Sequence, residues 1–363
     1  MNGSSARVPG RLLTVKVACS RCTSPIGVAL PSPMLSLRRL TDGSVRSVMD
    51  VIYDNDEAHL DGQGSAVTIG AFDGVHRGHR QVIATLRGLA ADRDLRTVVV
   101  TFDRHPASVV RPESAPLLLT DLDQKLELLA QCGVDAAFVV RFDEQRAQET
   151  AAEFITADLV GTLNAKLVTV GSDFHFGNKR AGNVELLVEM GGDLGFETLA
   201  HELVDLNGQP SNESVSSTRI RAALRGGDLE SANAMLGRPH EVRGVVGHGD
   251  GRARDLGFRT ANLAIPETIC LPADGIYAGW CRTPDGVNRA CAISLGRRPT
   301  FYEFADTSLL EAHLIDFDAD LYGQELAVQF VAHLRNELKF DSVDALIAQM
   351  GKDVDQCRTL LLG

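Results

Sequence analysis

The most constraining feature of the sequence is the stretch G-A-F-D-G-V-H-R-G-H at residues 70–79, which joins an apolar run to a helical pattern. The run A-V-T-I at 66–69 is typical of a buried strand, and residues 81–91 have helical spacing. Glycines let the backbone approach an anion, and a helix N-terminus offers free N–H groups and the positive end of its dipole. The stretch therefore predicts a phosphate-binding turn in a parallel α/β sheet, with His76 and His79 as hydrogen-bond donors.

Length, composition and charge limit the remaining possibilities. The chain has 363 residues, of which 44% are hydrophobic and 23% charged, and this favours a globular protein of two domains. Apolar runs fall short of the ~20 residues of a membrane span, so we expect no membrane partner. The net charge of −12 argues against a general nucleic-acid binder. The oligomeric state is left open by the sequence.

The N-terminal segment and the cysteines bear on location. Residues 1–48 hold seven Lys/Arg and one acid. We expect a disordered basic extension, either a tail or a misassigned start before Met49, in preference to a transit peptide. The seven scattered cysteines predict reduced thiols in a cytoplasmic protein. Cys19-x-x-Cys22 lacks the second half of a zinc site.

Alternating strand and helix patterns predict a doubly wound parallel-sheet domain over residues 49–238. Its predicted strands are 66–70, 96–102, 136–141 and 166–171. Its predicted helices are 79–91, 121–131, 147–161, 183–190, 218–225 and 228–236.

Short runs punctuated by Gly and Pro predict a small antiparallel β-barrel with a terminal helix over residues 239–363. The predicted strands are 241–247, 262–265, 276–282, 289–295, 309–317 and 325–332, and the predicted helix is 341–350.

Three further segments of the first domain fit the same site. S-S-T-R-I-R at 216–221 opens a helix, where Ser and Thr usually serve as caps, but where hydroxyls and arginines also suit a phosphate clamp. G-S-D-F-H-F-G at 171–177 and T-F-D-R-H-P at 101–106 follow predicted strands, at the edge where open α/β sheets bind ligands. Phe174 and Phe176, in the segment 171–177, suit either the apolar core or a contact with the flat ring of a ligand.

These four segments, in this order, resemble the bacterial flavin adenylyltransferase (FAD synthetase) domain over residues 67–224. The resemblance implies transfer of an adenylyl group from ATP to FMN, with release of pyrophosphate. It implies that His76 and His79 contact the α-phosphate and that Asp173 lies near the nucleotide or flavin. The residues it assigns to the phosphate tail are Ser217, Thr218 and Arg221, and the other residues matching its nucleotide-binding turn are Gly70, Phe72, Asp73 and Gly78.

The C-terminal half carries a second set of candidates. A Gly- and Arg-rich loop, residues 244–258, suits an anion, although hairpin turns alone would explain its glycines. Thr260 and Asn262 share one face of a strand and offer two oxygens for magnesium. Glu311, on another strand, suits a general base for an alcohol, although a lone Glu on a strand more often faces solvent.

This half resembles riboflavin kinase over residues 240–360, through G-F-R-T-A-N, G-I-Y-A-G, D-L-Y-G and related segments. The resemblance implies phosphorylation of riboflavin to FMN by ATP, with Glu311 as base and with Thr260 and Asn262 serving Mg²⁺ and ATP. The loop residues it assigns to the nucleotide are Gly249 and Arg254. One departure is Arg259, which stands where the family has Pro; Arg neither fixes φ nor removes an N–H.

The sequence therefore predicts a bifunctional enzyme that converts riboflavin and ATP to FMN and then to FAD. Three alternatives remain at this point. The first domain adenylylates another phosphate ester, such as pantetheine phosphate or nicotinamide mononucleotide. Only the adenylyltransferase is efficient, because of Arg259. The chain is a paralogue that binds flavin without turnover.

Overall fold

The computed structural model describes most of the sequence from Met49 onward, and these residues belong to one compact unit. The predicted extension over 1–48 and the predicted nucleotide contacts of Gly249 and Arg254 lie outside the described residues. The domain boundary at 238/239 stays a prediction. The described residues are 49–54, 60, 62–201, 215–248, 256–297 and 308–363.

A parallel sheet forms the first half of the described chain. Its strands are β1 (Asp50–Tyr53), β2 (Ser65–Ile69), β3 (Arg96–Phe102), β4 (Ala136–Val140), β5 (Ala165–Gly171) and β6 (Glu197–His201). They lie in the order β1-β4-β3-β2-β5-β6 and every pair is parallel, so the predicted α/β class is confirmed. Val98 and Val100 join one apolar cluster while Val99 joins another, because helices cover a parallel sheet on both faces.

The four central strands match the predicted ones to within one residue at each end, whereas the two edge strands, β1 and β6, were not predicted. β1 has four residues and only one is buried, and β6 contains no fully buried residue. An edge strand is covered less than a central one, so its apolar pattern is weak.

The predicted helices of this half are present, with one difference in kind. The helix predicted over 147–161 begins at Ala151 and continues as a π-helical segment over Ile155–Thr162. It begins late because Thr150 and Glu153 form a capping box: the Thr150 hydroxyl accepts the Glu153 N–H at 3.2 Å, and the Glu153 carboxylate accepts the Thr150 N–H at 2.8 Å. The helices are α1 (Arg77–Ala91), α2 (Ala107–Val110), α3 (Leu122–Gln131), α4 (Ala151–Phe154), α5 (Val184–Leu194), α6 (Ser217–Arg225) and α7 (Leu229–Leu236).

A closed antiparallel barrel forms the second half, as predicted. Its strands are β7 (His240–Gly247), β8 (Ala261–Ala264), β9 (Gly275–Arg282), β10 (Asn288–Arg297), β11 (Ser308–Leu314) and β12 (Glu325–Arg335). Their order around the barrel is β10-β11-β8-β7-β12-β9. Buried and partly exposed residues alternate along β7 and β8, as closure of a barrel requires.

The terminal helix, α8 (Val343–Leu362), is twice the predicted length. Ser342 caps its start by accepting the Ala345 N–H at 3.2 Å. The helix continues because Val354 and Cys357 are buried in an apolar cluster with side chains of the barrel. The prediction stopped early at Gly351, which is a weak helix former but is tolerated here.

The two halves are joined by backbone hydrogen bonds and a shared core. The Leu118 N–H donates to the Thr268 carbonyl at 2.7 Å, and the Leu118 carbonyl accepts the Cys270 N–H at 2.7 Å. One apolar cluster contains both Leu224 of α6 and Tyr277 of the barrel. The barrel and the sheet half therefore bury each other's apolar surface.

Helix α3 makes a second junction with the barrel strand β7. The Gln124 amide donates to the Glu241 carbonyl at 3.1 Å. The Arg243 guanidinium forms a bidentate pair with the Glu127 carboxylate at 3.0 and 2.5 Å. Bidentate pairs fix geometry as well as distance, so α3 is held at a defined position against the barrel.

We predict that Leu224→Ala destabilises both halves together. Leu224 is fully buried in the shared core, and deleting such a side chain typically costs about 2–5 kcal/mol. Urea unfolding should be followed by fluorescence of Trp280, which lies on β9 of the barrel, and by helix circular dichroism. We expect both midpoints to fall by the same amount.

The matched control is Leu360→Ala, since Leu360 of α8 is 53% exposed and its loss should change the stability by no more than about 0.5 kcal/mol. If Leu224→Ala lowers the midpoint measured by helix circular dichroism and leaves the midpoint measured by Trp280 fluorescence unchanged, the two halves unfold independently.

Candidate active sites

The predicted phosphate-binding turn lies at the C-terminal end of β2 and has an unusual backbone. His76 is the N-cap of α1, with φ −73° and ψ 175°. Before it, Phe72, Gly74 and Val75 all have positive φ, at 49°, 81° and 36°. A β-branched residue in this region is strained, and such strain persists only where surrounding groups hold it. The turn is therefore fixed by its neighbours rather than by its own preferences.

The two histidines of this turn lie face to face. The ring centroids of His76 and His79 are 3.6 Å apart at 17°. His76 Nδ1 accepts the His79 backbone N–H at 3.3 Å, so the proton of the neutral ring lies on Nε2. Nδ1 of His79 is buried and has no hydrogen-bond partner among the described residues. A buried polar atom of this kind is satisfied when a ligand or water supplies the missing partner.

Burial keeps both rings neutral in the free protein. It lowers the pKa of His76 to about 3, with smaller contributions from the charges of Arg238 and Arg221. It also lowers the pKa of His79 well below its usual value, and the neighbouring His76 adds to this effect. Each neutral imidazole has one N–H donor, so the pair offers hydrogen bonds to a phosphate without carrying full charge.

The Asp73 side chain fixes the turn through buried hydrogen bonds and an ion pair. Its buried carboxylate accepts the Leu119 N–H at 2.9 Å and the Thr120 N–H at 3.1 Å, and it forms an ion pair with Arg221. Arg221 also donates to the Leu117 carbonyl at 2.5 Å. Asp73 and Arg221, both predicted to bind the nucleotide, therefore contact each other in this structure, and a nucleotide contact by either remains a prediction.

The start of α6 lies against the same turn. Ser216 caps the helix by accepting the Arg219 N–H at 3.3 Å. The Ser217 hydroxyl donates to the Asp73 carbonyl at 2.9 Å, while Thr218 is exposed. The predicted clamp residues Ser217 and Thr218 are thus at a helix N-terminus beside the turn, where an anion is favoured.

Two glycines of the turn leave space for aromatic rings. A Cβ on Gly70 would lie 3.2 Å from the Phe72 ring. A Cβ on Gly78 would lie 3.2 Å from the His76 ring and 3.4 Å from the Val215 carbonyl. Gly70, Phe72 and Gly78 therefore shape the turn, and direct nucleotide contacts by them remain a prediction.

The segment after β5 reaches the same edge of the sheet, since β5 pairs with β2. Asp173 is exposed there, and its carbonyl lies 2.8 Å from His175 Nδ1. The rings of Phe174 and Phe176 stack at 5.3 Å and pack against the core beneath the sheet. The structure thus brings Asp173 to the sheet edge that holds the histidines, and assigns the two phenylalanines to the core.

Sequence reasoning missed two cations of this site. Lys125 of α3 is buried, and its ammonium donates to the Phe102 carbonyl at 2.7 Å and the Ala71 carbonyl at 3.3 Å. Arg238 donates to the Gly74 carbonyl at 2.7 Å. Neither lies in a motif of its own: Lys125 is one charged residue of an amphipathic helix, and Arg238 is part of a turn. Only the fold shows where they reach.

The barrel candidates come together on adjacent strands. Asn262 of β8 lies in register with Glu311 of β11, on the outward face of the barrel. The Thr260 hydroxyl donates to the Glu311 carboxylate at 3.4 Å. All three side chains are half-buried, so Glu311 is packed among polar partners rather than extended into solvent.

Arg259, the departure from the riboflavin kinase pattern, turns its side chain outward. Its guanidinium is 62% exposed and forms an ion pair with Asp318. Its carbonyl lies 2.7 Å from Nδ1 of His313, which follows Glu311 by two on β11. The added charge is therefore neutralised at the surface, and the backbone at position 259 is tied to the strand that carries Glu311.

The barrel residues suit a magnesium ion that arrives with a nucleotide. Thr260 and Asn262 offer a hydroxyl and an amide oxygen, and oxygen ligands are those that Mg²⁺ prefers. Within the described part of the chain no group of three His, Cys, Asp or Glu residues is placed to hold a metal.

The histidine pair lies between a strand and a helix of a parallel α/β sheet, and the barrel carries a Thr-Ala-Asn segment that faces a Glu. Together these features define a transferase of the nucleotide-using class. A model of the FAD synthetase family matches residues 59–219, and one of riboflavin kinase matches residues 236–361. The chain belongs to the bifunctional riboflavin kinase/FMN adenylyltransferase family.

Relatives match nearly their whole length. The bifunctional riboflavin kinase/FMN adenylyltransferase of Haemophilus influenzae is 38% identical, over 82% of this chain and 94% of its own. The protein of the same name from Bacillus subtilis is 34% identical, over 80% and 90%. A solved structure from Streptococcus pneumoniae, named as a macrolide-efflux protein, is 30% identical and covers 85% of this chain and 99% of its own, with a TM-score of 0.74. In the part of the chain that the structure describes, no helix has the length and hydropathy needed to span a membrane.

We predict that Arg221→Met destabilises the protein by about 3–5 kcal/mol, because it leaves the buried Asp73 carboxylate without its cation. Combining it with Asp73→Asn should recover part of the loss, since no buried ion then remains. Urea unfolding of the two single variants and the double variant measures the coupling.

Arg87→Met, in an exposed position of α1, serves as the control and should change stability by no more than about 0.5 kcal/mol. Additive effects of the two site substitutions would show that the Asp73–Arg221 pair does not hold the turn.

Proposed function

We propose that the protein makes FAD in two steps at two separate sites. The barrel phosphorylates riboflavin to FMN, and the sheet domain adenylylates FMN to FAD with release of pyrophosphate. The observation that carries the proposal is the presence in one chain of the stacked His76–His79 pair at the start of α1 and of Glu311 in register with Asn262 on the barrel. Membership of the bifunctional family supports it.

At the sheet site, a phosphate oxygen of FMN attacks the α-phosphorus of ATP, and the bond to the pyrophosphate oxygen breaks. Negative charge accumulates on the α-phosphate oxygens, so the protein contributes by positioning and by charge stabilisation. The N–H groups of His76 and His79 donate to those oxygens, and the unsatisfied Nδ1 of His79 supports this assignment. Ser217 and Thr218 bind the departing phosphates at the N-terminus of α6.

At the barrel site, the 5′-hydroxyl oxygen of riboflavin attacks the γ-phosphorus of ATP, and ADP leaves. Glu311 accepts the hydroxyl proton as general base. The Thr260 hydroxyl, which contacts the Glu311 carboxylate, fixes its orientation. Thr260 and Asn262 would hold Mg²⁺ at this site, where the ion would supply Lewis-acid stabilisation to the phosphate oxygens of ATP.

We further propose a cytoplasmic location. The described cysteines, Cys132, Cys270, Cys281, Cys291 and Cys357, are free thiols, and a reducing compartment maintains such thiols.

We predict that substitutions at the two sites separate the two activities. His79→Ala should lower FAD formation from FMN by at least about 100-fold, the typical loss for one oxyanion donor, and leave riboflavin phosphorylation intact. Glu311→Gln should do the reverse, because externally supplied FMN bypasses the barrel. Chromatography of flavins after incubation with ATP and Mg²⁺ separates riboflavin, FMN and FAD in one run.

His175→Ala provides a control for the first substitution, since His175 is exposed after β5 and not part of the pair. Loss of both activities in a folded His79→Ala or Glu311→Gln protein would refute the two-site assignment. Adenylylation of a different phosphate ester in preference to FMN, or tight flavin binding without ADP or pyrophosphate release, would refute the proposed reaction.

We predict that Arg259→Pro preserves riboflavin phosphorylation to within about threefold or raises it. The change removes an exposed ion pair with Asp318, which is worth little, together with the Arg259 N–H, and it leaves the carbonyl that His313 contacts. Steady-state kinetics with riboflavin test this, with Asp318→Asn as the variant that removes the same ion pair from the other side. A severe loss in Arg259→Pro alone would mean that the Arg259 side chain or its N–H takes part in the reaction.

A further inference from the structure

The segment that leads into β8 lies beyond the ladder that joins β8 to β11. The last register pair of that ladder joins Ala261 to Ala312, and residues 258–260 precede it. The same segment carries the Thr260 hydroxyl, which contacts the carboxylate of the proposed base Glu311. Because the ladder ends before Thr260, the position of this hydroxyl depends on side-chain contacts to the segment.

His313 of β11 makes two of these contacts. Its Nδ1 lies 2.7 Å from the Arg259 carbonyl oxygen, and since a carbonyl oxygen only accepts, Nδ1 carries the proton and donates. The His313 ring also lies edge to face with the Phe258 ring, at 5.5 Å and 71°. One side chain therefore contacts two successive residues, the first through its ring and the second through its backbone.

The other contacts of the segment differ in strength. The Phe258 ring packs against an apolar cluster that includes Val354 and Cys357 of α8, so its contact with His313 is backed by the barrel exterior. The Arg259 guanidinium pairs with Asp318, but both side chains are exposed and such pairs contribute little. The hydrogen bond from His313 is thus the stronger restraint on the backbone at position 259.

The position of this restraint connects it to the reacting carboxylate. Glu311 and His313 are two residues apart on β11, so their side chains lie on one face of the strand. The carbonyl that His313 holds belongs to the peptide that joins Arg259 to Thr260. The Thr260 hydroxyl lies 3.4 Å from the Glu311 carboxylate, so a small shift of that peptide breaks the contact. Misplacement of groups by about 1 Å is enough to slow an enzymatic reaction severely.

We propose that His313 is a positioning residue of the barrel site. By holding the Arg259 carbonyl, it keeps the Thr260 hydroxyl on the carboxylate of the proposed base. The inference rests on the proposed riboflavin kinase function. A proline at position 259 would fix its own φ, whereas Arg259 is restrained by a bond from the neighbouring strand. The φ of Arg259 is negative, as proline requires, so the two restraints are interchangeable at this position.

The test is His313→Ala, alone and combined with Arg259→Pro. In the single variant, loss of one neutral hydrogen bond should lower kcat for riboflavin phosphorylation about 3- to 10-fold, with the KM for riboflavin unchanged within about twofold. In the Arg259→Pro background the same substitution should lower kcat by less than about twofold, because proline then restrains the segment. FAD formation from supplied FMN should stay intact throughout, which shows that the shared core is folded.

Hydrogen exchange of β8 (Ala261–Ala264) in the ligand-free protein gives a readout that does not depend on turnover. His313→Ala should speed exchange at the start of β8 at least about threefold, and adding Arg259→Pro should reverse the change. His313→Asn keeps a side-chain N–H donor and should hold both kcat and exchange within about twofold of the wild type. The matched control is Asp318→Asn, which removes only the side-chain tie of Arg259 and should change neither quantity.

An equal loss of kcat from His313→Ala in both backgrounds would overturn the proposal, because the restraint on position 259 would then be irrelevant. A raised KM for riboflavin with an unchanged kcat would overturn it in favour of a substrate contact. Should His313→Ala lose FAD formation as well, His313→Asn and His313→Leu are compared: asparagine should preserve kcat and leucine should lower it, and equal values would overturn the proposal. Failure of the wild-type protein to phosphorylate riboflavin would instead refute the kinase function, while unchanged exchange of β8 in His313→Ala would refute the restraint itself.

Discussion

The geometry of the adenylyltransferase site depends on one buried carboxylate. Asp73 lies inside the histidine turn, and its side chain binds backbone N–H groups of Leu119 and Thr120 and the guanidinium of Arg221. Its own carbonyl accepts the Ser217 hydroxyl. Three segments distant in sequence thus converge on one residue, and the strained backbone of the turn persists because they hold it. The ion pair is best understood as a device for specifying this one arrangement, since buried pairs contribute little net stability.

The same residues connect the two halves of the protein. The Leu119 N–H donates to Asp73, and Leu119 follows Leu118, whose backbone is hydrogen-bonded to Thr268 and Cys270 in the segment between β8 and β9. Lys125 donates hydrogen bonds to carbonyls at the ends of β2 and β3. It lies on α3 between Gln124 and Glu127, the two residues that contact β7. The barrel therefore supports the sheet site through backbone and helix contacts, although each site has its own reacting groups.

Much of this arrangement is readable from the sequence, and the limits have physical causes. β-branched runs and the glycine-histidine turn specify the central strands and the start of α1, because burial on both faces and helix capping leave local signals. The Asp73–Arg221 pairing was not predicted: a carboxylate and a guanidinium in phosphate-site motifs suit an anion and each other equally well. Lys125 carries no local signal because its role depends on where α3 packs. The π-helical turn and the edge strands depend on tertiary contacts in the same way.

Electrostatics explains how a chain with an excess of twelve negative charges handles two phosphorylated substrates, ATP and FMN. Long-range attraction is unavailable to it, so each phosphate must meet local compensation at short range. The sheet site uses neutral imidazole donors and a helix N-terminus, and its buried charges lie near charges of opposite sign. Such a site binds a phosphate well only where several donors converge. The overall negative charge disfavours other anions, so the site selects ligands that contact all of its donors.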